Sequence, residues 1–484
     1  MNKSYIKRIF ALVVTTVILF SVTACSKGGR KIIEVTLSTE DYEAILAAAG
    51  VKLPDAETCS STGTTVKWLS WEDDFHNYSE DEIVNTGYFT FKEKYGCEVE
   101  WIETEYNSRY DTLANLILAD EAPDGYPGAS DTFPTRAIKG IFQSVDEYID
   151  YSDPLWQGIK DYADKYFSLG GKHYTMISNT RFGRVCAYNR RTIDEWGFDD
   201  PAELFANDEW TWNRFSDMCI EFSDPDEERY ALDGWTWDSA IMASCGTNII
   251  AYNPETGLFE SRVDDPRPQQ AADVVYNLCK NNCVYPLWQR GWKIRNEVDG
   301  GGMNEGKLLF YIEGSWAFTG PVDEISAVWG DVAQNEIMFV PVPRNEHGDG
   351  VYYLEATQTA YCIVAGCDNP EGIALLASCE RFKQIDPTVI DIDRKQLKET
   401  YLWTDEMLEM YDTCMELVSS GDVAIIDYYS GVGDTLDDVS SKFQSFARSS
   451  NVSSWAQIKE ANQEKFDYYL KELNDSLIEF NKNS

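Results

Sequence analysis

From Val66 onward, apolar runs of strand length alternate with stretches of helical periodicity, and that alternation is what most restricts the fold. Val66-Lys-Trp-Leu-Ser70 reads as a strand, the polar turn Trp71-Glu-Asp-Asp74 follows, and the spacing predicts a helix from Ile83 to Tyr95. A strand over Cys97 to Ile102 and a helix over Ser108 to Leu118 repeat the unit. Alternation of this kind predicts an α/β chain built on a parallel or mixed sheet, with its binding edge at the strand C-termini.

The middle of the chain is richer in helix, with clear periodicity over Pro201 to Phe205, Trp212 to Phe222, Asp238 to Cys245 and Arg267 to Asn281. Leu308 to Ile312 reads as a short buried strand, and Gly348-Asp-Gly350 as a hairpin turn. After Tyr361 the pattern is mainly helical, ending in a long amphipathic stretch from Trp455 to Leu473. No internal repeat is visible. The body of about 420 residues exceeds what one hydrophobic core usually serves, so two lobes are expected.

Ahead of the body stands a leader. Lys3, Lys7 and Arg8 precede the apolar run Phe10 to Phe20, and Val22-Thr23-Ala24-Cys25 closes it. A basic start, a short apolar core and small residues are the marks of a secretory signal. The run is too short to span a bilayer, which takes about 20 apolar residues. Small residues running into one cysteine resemble a bacterial lipobox, which implies that Cys25 is lipidated and becomes the first mature residue. An ordinary cleaved signal is the alternative. Residues 1–24 are thus expected to be a lipoprotein signal, and 25–65 a polar tether ending in Cys59-Ser-Ser-Thr-Gly-Thr-Thr65.

Charge then excludes classes of partner. The chain carries 82 acidic against 41 basic residues, a formal charge of −41, and losing the leader removes three more cations. Such a surface repels nucleic acid and anionic lipid. Acidity without a core would mean disorder, but 43% hydrophobic and 13% aromatic residues suffice for packed lobes. The 15 Trp and 28 Tyr suit a protein that holds its ligand by flat apolar faces.

The 12 cysteines leave eleven once Cys25 is set aside, an odd number without metal spacing, so buried thiols are expected rather than a disulfide framework. The three histidines, His76, His173 and His347, lie far apart, which argues against zinc catalysis. Neither a phosphate-binding loop nor an EF-hand loop is present, and no cofactor is expected.

Several phrases in one order carry a resemblance. They are Asp120-Glu-Ala-Pro-Asp124, Gly140-Ile-Phe-Gln-Ser-Val-Asp-Glu-Tyr-Ile149, Gly170-Gly-Lys-His-Tyr174, Tyr188-Asn-Arg190, Phe198-Asp-Asp-Pro201 and Trp210-Thr-Trp212. Asn304-Glu-Gly-Lys307, Phe310-Tyr-Ile-Glu-Gly-Ser-Trp316, Phe339-Val-Pro-Val-Pro343 and Asn369-Pro-Glu-Gly372 complete the series. Together they resemble the family 1 extracellular solute-binding proteins, the lipoprotein receptors of carbohydrate ABC importers, which include maltose-binding protein. The resemblance implies a two-lobed, periplasmic-binding-protein-like fold of type II, with a mixed sheet flanked by helices in each lobe and three chain crossings at a hinge. It places residues 66–179 and 357–400 in the N-terminal lobe and 180–356 and 401–484 in the C-terminal lobe. A carbohydrate would sit in the cleft, and closure would be read by a permease served by a separate ATPase. The receptor would act as a monomer.

A sugar offers hydroxyls at its edge and weakly apolar faces, so its pocket wants carboxylates and amides around aromatic rings. Trp71 and Asp73 stand just past the first strand, where the family places polar contacts; Glu72 beside them reads as a solvated acid. Asp131 matches a sugar-contacting aspartate of the family, or else caps the helix after Pro134. Arg181, near the first crossing, meets either a ligand oxygen or one of the many surplus carboxylates. Trp235 and Trp237 alternate before a helix, so one need face the cleft. Trp316 matches a ring that stacks on sugar in the family, with Glu313 as a nearby acceptor; a core Trp at a strand end is the alternative. Glu355 near the second crossing and Tyr429 late in the chain complete the candidates. The same acids and aromatics could serve a secreted carbohydrate-active enzyme, with Asp73 and Glu313 as a carboxylate pair, or the chain could be a non-transport surface lipoprotein.

Overall fold

The computed structural model describes residues 46, 48–78, 86–128, 131–234, 237–286, 302–420, 424–426, 432–447 and 452–483. Its first sheet begins with the predicted unit: β1 (Thr65–Ser70) and β2 (Glu98–Glu103) pair in parallel from Thr65↔Glu98 to Ser70↔Glu103. β1 also pairs in parallel with β3 (Gly125–Pro127). The connecting helix Gly87–Tyr95 starts at Thr86, whose side chain accepts from the Phe89 amide, and ends at Gly96 in the left-handed region.

The chain then runs through the small ribbon of β4 (Ser168–Leu169) and β5 (Lys172–His173) into β6 (Met176–Phe182). The second sheet holds β7 (Val185–Asn189), β8 (Tyr230–Asp233), β11 (Leu308–Glu313) and β12 (Ile337–Val340), in the order β12-β7-β11-β8. Between β8 and β11 lie the ribbon of β9 (Ile250–Asn253) and β10 (Leu258–Ser261) and the helix Pro266–Lys280. β13 (Leu354–Ile363) returns to the first sheet, pairing with β6, with β3 and with β14 (Ala424–Ile426). Among the described residues the first sheet therefore reads β14-β13-β3-β1-β2, with β6 joined to β13.

The chain passes between the two sheets at crossings. The first passes from β6 to β7 through Gly183 and Arg184, and the second from β12 to β13. The hairpin expected at Gly348-Asp-Gly350 is not one: β12 pairs with β7 and β13 with β3, β6 and β14, so this turn lies on a crossing between sheets. The helix Asp405–Ser419 packs on β6 and β13 of the first sheet and on β12 of the second, then leads into β14. The final helix runs from Trp455 to Asn483, a full ten residues past the amphipathic stretch read from sequence.

Packing begins earlier than the polar composition of 25–65 suggested. Val51 and Leu53 are buried in the main core, the Tyr95 hydroxyl donates to the Pro54 carbonyl at 2.6 Å, and the Gly63 amide donates to the Tyr95 carbonyl at 2.8 Å. Two apolar side chains in a polar segment suffice to fasten it to the first lobe. The eleven cysteines after Cys25 are free thiols, and burial pushes Cys245 and Cys362 up to about 12. No helix among the described residues is long and apolar enough to cross a membrane.

Candidate functional site

The C-terminal ends of β1 and β3 carry the first half of the site. Trp71 leaves β1 and meets Tyr106 edge-on, with ring centroids 5.2 Å apart. Arg109, the first residue of the helix Arg109–Leu118, lies 3.8 Å over the Tyr106 ring, 4.9 Å over Tyr110 and 5.5 Å over Trp71. Its guanidinium is ion-paired with Asp131, which follows β3, and each side chain is 11% exposed. Arg136 adds a second guanidinium 4.0 Å from the centre of the Tyr110 ring, which it shares with Arg109.

Burial alone would lower the Arg109 pKa, but the Asp131 carboxylate and the surrounding phenols outweigh it and hold the charge on. Burial, reinforced by Asp131, pushes Tyr110 well above the usual phenol range, so it is a neutral hydroxyl at any physiological pH. Arg109 Nε, Asp131 Oδ1 and Thr135 Oγ1 are buried without a hydrogen-bond partner among the described residues. Unsatisfied buried polar atoms are costly, and here several of them, the Tyr110 hydroxyl included, belong to one cluster near the strand ends. The capping alternative for Asp131 is set aside: the helix Thr135–Ile138 starts at Pro134 with no side-chain cap, and the carboxylate is turned to Arg109.

The second half sits at the ends of the parallel strands β8 and β11. Gly234, at φ +142°, follows β8, and a Cβ there would collide with the Ile312 carbonyl, so glycine permits the close approach of the two strand ends. Glu313 ends β11 buried, with Oε1 accepting from the Gly314 amide at 3.1 Å. The turn Ser315–Phe318 then divides its aromatics. Phe318 enters the core, 5.1 Å from Phe339 and 5.8 Å from Trp403, whereas Trp316 is left 62% exposed. The Trp316 indole lies over Gly314, where a Cβ would come within 2.5 Å of it and 3.2 Å of the Gly183 carbonyl. A large exposed ring held beside a crossing by a buried neighbour is the feature a stacking site requires.

The hinge uses two of the charged residues. The Gly183 amide donates to the Glu355 carbonyl at 2.8 Å, and the Glu355 carboxylate is ion-paired with Arg184, so the first two crossings are tied side by side. Arg181 is exposed on β6. Burial raises the pKa of Asp393 and the Arg181 charge partly offsets it, which places Arg181 among the surplus carboxylates. Asp73 is occupied by its own loop: Oδ1 accepts from the amides of Phe75 and His76 at 3.2 and 3.1 Å and meets the His76 ring at 2.9 Å. Burial works against its charge, but those bonds win and hold the carboxyl below its usual range. Glu72 is exposed, as a solvated acid should be. Trp237 is 5% exposed inside the main core. Trp235, Tyr429 and Cys25 lie outside the described residues.

Sequence reasoning thus named Trp71, Asp131, Glu313 and Trp316, which stand at strand ends on the two sheets, but missed Arg109, Tyr106 and Tyr110. Among the described residues, no group of three or more His, Cys, Asp or Glu could hold a metal ion.

Residues 89–379 match the family model described as Bacterial extracellular solute-binding protein. No curated protein matches the chain. Solved structures do. An ABC substrate-binding protein from Listeria monocytogenes in complex with cycloalternan is similar at a TM-score of 0.56 and 14% identity, covering 85% of this chain and 99% of that one. The GacH receptor of Streptomyces glaucescens, solved unliganded and with acarbose, gives 0.56 and 14%, covering 84% and 99%. The galacto-N-biose-/lacto-N-biose I-binding protein of Bifidobacterium longum gives 0.56 and 12%, covering 85% and 98%. The fold is accordingly the two-lobed one of solute-binding proteins.

Proposed function

The chain belongs to the bacterial extracellular solute-binding proteins, and from that membership we propose that it captures a carbohydrate between its lobes and delivers it to the permease of an ABC importer. The observation that carries this reading is Trp316, an indole 62% exposed at the end of β11 and adjacent to the first crossing. A stacking ring from the second sheet, with Trp71, Arg109 and Asp131 from the first, supplies apolar faces and charged edges on both sides of a hinge. A ligand drives closure only by binding the closed form better, which needs contacts from both lobes. Relatives of the same fold were solved with cycloalternan, acarbose and lacto-N-biose, which supports an oligosaccharide as the ligand class.

The lobes divide near 66–179 with 357–400 and 180–356 with 401–484, with the end of β6, the start of β13 and β14 belonging to the first sheet. Cys25, lipidated, holds the receptor at the outer face of the cell membrane as a monomer, near a permease driven by a separate ATPase. Glu313 serves the site and Glu355 the hinge, while Asp73 braces its own loop, and none of the three is assigned to catalysis. A thermal-shift screen against mono- and oligosaccharides, with product analysis on each mixture, tests this: one or more sugars raise the melting temperature and are recovered unchanged. No shift with any sugar, or turnover of one, contradicts it.

A further inference from the structure

A cavity of about 440 Å³ is lined by none of Trp71, Asp131, Glu313, Trp316 or Glu355, the residues of the proposed sugar site and its hinge. Its walls come from the edge strand β6, from the end of the helix Pro370–Gln384, from residues 157–162, and from the end of the helix Asp405–Ser419. A volume of this size is in the range that holds a small organic molecule, about 300–1,000 Å³.

Arg381 lines the cavity and is 8% exposed. Its Nε donates to the Leu155 carbonyl at 3.1 Å and its Nη1 to the Ser178 carbonyl at 2.9 Å. Two neutral carbonyls fix the plane of the guanidinium without compensating its charge, and among the described residues no carboxylate is paired with it. In a chain with twice as many acids as bases, a buried cation without an acid is out of place. Burial depresses its pKa to about 10, and the only partner pulling the other way is the Tyr151 phenol. Nη2 is directed at Gly158, a lining residue, where a Cβ would lie 3.2 Å from it.

Apart from Asp161, the other polar groups of the lining are neutral and suited to hydroxyls. Asn179 donates to Gln384 at 2.9 Å across the cavity wall, and Thr180, Ser419 and Ser420 add side-chain oxygens. The one carboxylate of the lining is Asp161. We propose that this cavity is a second binding site, separate from the interlobe cleft, which takes a small hydroxylated carboxylate with its anionic end on Arg381 and its hydroxyls on the Asn179–Gln384 amides and the serines. The proposal does not rest on the sugar reading of the cleft.

Gluconate carries this chemistry, and sorbitol has the same hydroxylated chain without the carboxylate. Calorimetry of the purified chain at fixed ionic strength is expected to show gluconate binding and sorbitol binding at least tenfold more weakly. Because Arg381 also braces two carbonyls, its removal risks the fold, so the informative variant is Gln384→Glu. Oε1 remains the acceptor for Asn179, while the new carboxylate answers the guanidinium and opposes an anion. Gln384→Glu should weaken gluconate at least tenfold with its melting temperature retained, and Trp316→Ala should leave gluconate binding unchanged. Absent gluconate binding, equal binding of sorbitol, an unaffected Gln384→Glu variant, or loss in Trp316→Ala each overturns the proposal; the last would place the anion in the cleft.

Discussion

Replacing Trp316 by alanine isolates the stacking surface, because the ring is largely in solvent and its loss costs the fold little. A Trp side chain carries at most roughly 250 Å². With 62% of the residue exposed, about 150 Å² is free, and a sugar stacked on one face covers about half of it. Near 25 cal/mol per Å², removing about 75 Å² of contact costs about 2 kcal/mol, a factor of about 30 in Kd. The assay is calorimetric titration of Trp316→Ala with a sugar chosen by thermal shift, alongside urea denaturation of the unliganded protein. Stability should stay within about 0.5 kcal/mol, as for surface substitutions generally. Affinity within twofold of the parent, with the fold intact, refutes the stacking role.

Asp131→Asn should lower stability by about 3 kcal/mol, since it leaves the buried Arg109 charge unanswered, and the Arg109→Met/Asp131→Asn double variant should recover a large part; additive losses in denaturation would show that the two are not coupled. Burial pushes Glu380 up to about 7 from 4.5 even though the Gly87 and Tyr88 amides bond its charged form, so its contribution is fully present below the unfolded pKa and is lost as pH rises through about 7. Glu380→Gln should therefore gain on the parent by about 2 kcal/mol between pH 5 and pH 8, a figure reduced for the partly exposed side chain; a constant difference across that range would contradict the assignment. Gly87→Ala should cost about 3 kcal/mol, because a Cβ there would collide with the backbone of Glu380 and force the two helices apart; an unchanged urea midpoint would show that they can separate freely.

What the sequence revealed follows how local each signal is. β1, β2 and the helix Trp212–Phe222 were legible because apolar spacing within one segment reports its own buried face. Trp316 was legible as part of a phrase, and its exposure follows from Phe318 two residues on taking the core position. Arg109 was not, because its partner Asp131 is 22 residues away and its rings come from two different segments. Gly348-Asp-Gly350 reports a turn correctly in its residue types but says nothing of which sheets its flanking strands join. Asp73 reads as a free acid until its loop closes on it, and Trp237 as an open ring until the helix it starts packs into the core.

Closure itself is the direct test of a solute-binding receptor. Small-angle scattering from the purified chain, alone and saturated with a sugar identified by thermal shift, reports whether the two lobes approach one another. A smaller radius of gyration is expected for the saturated parent and, at a sugar concentration near the parent's Kd, a much smaller change in Trp316→Ala than in the parent. An unchanged radius at full saturation would contradict it.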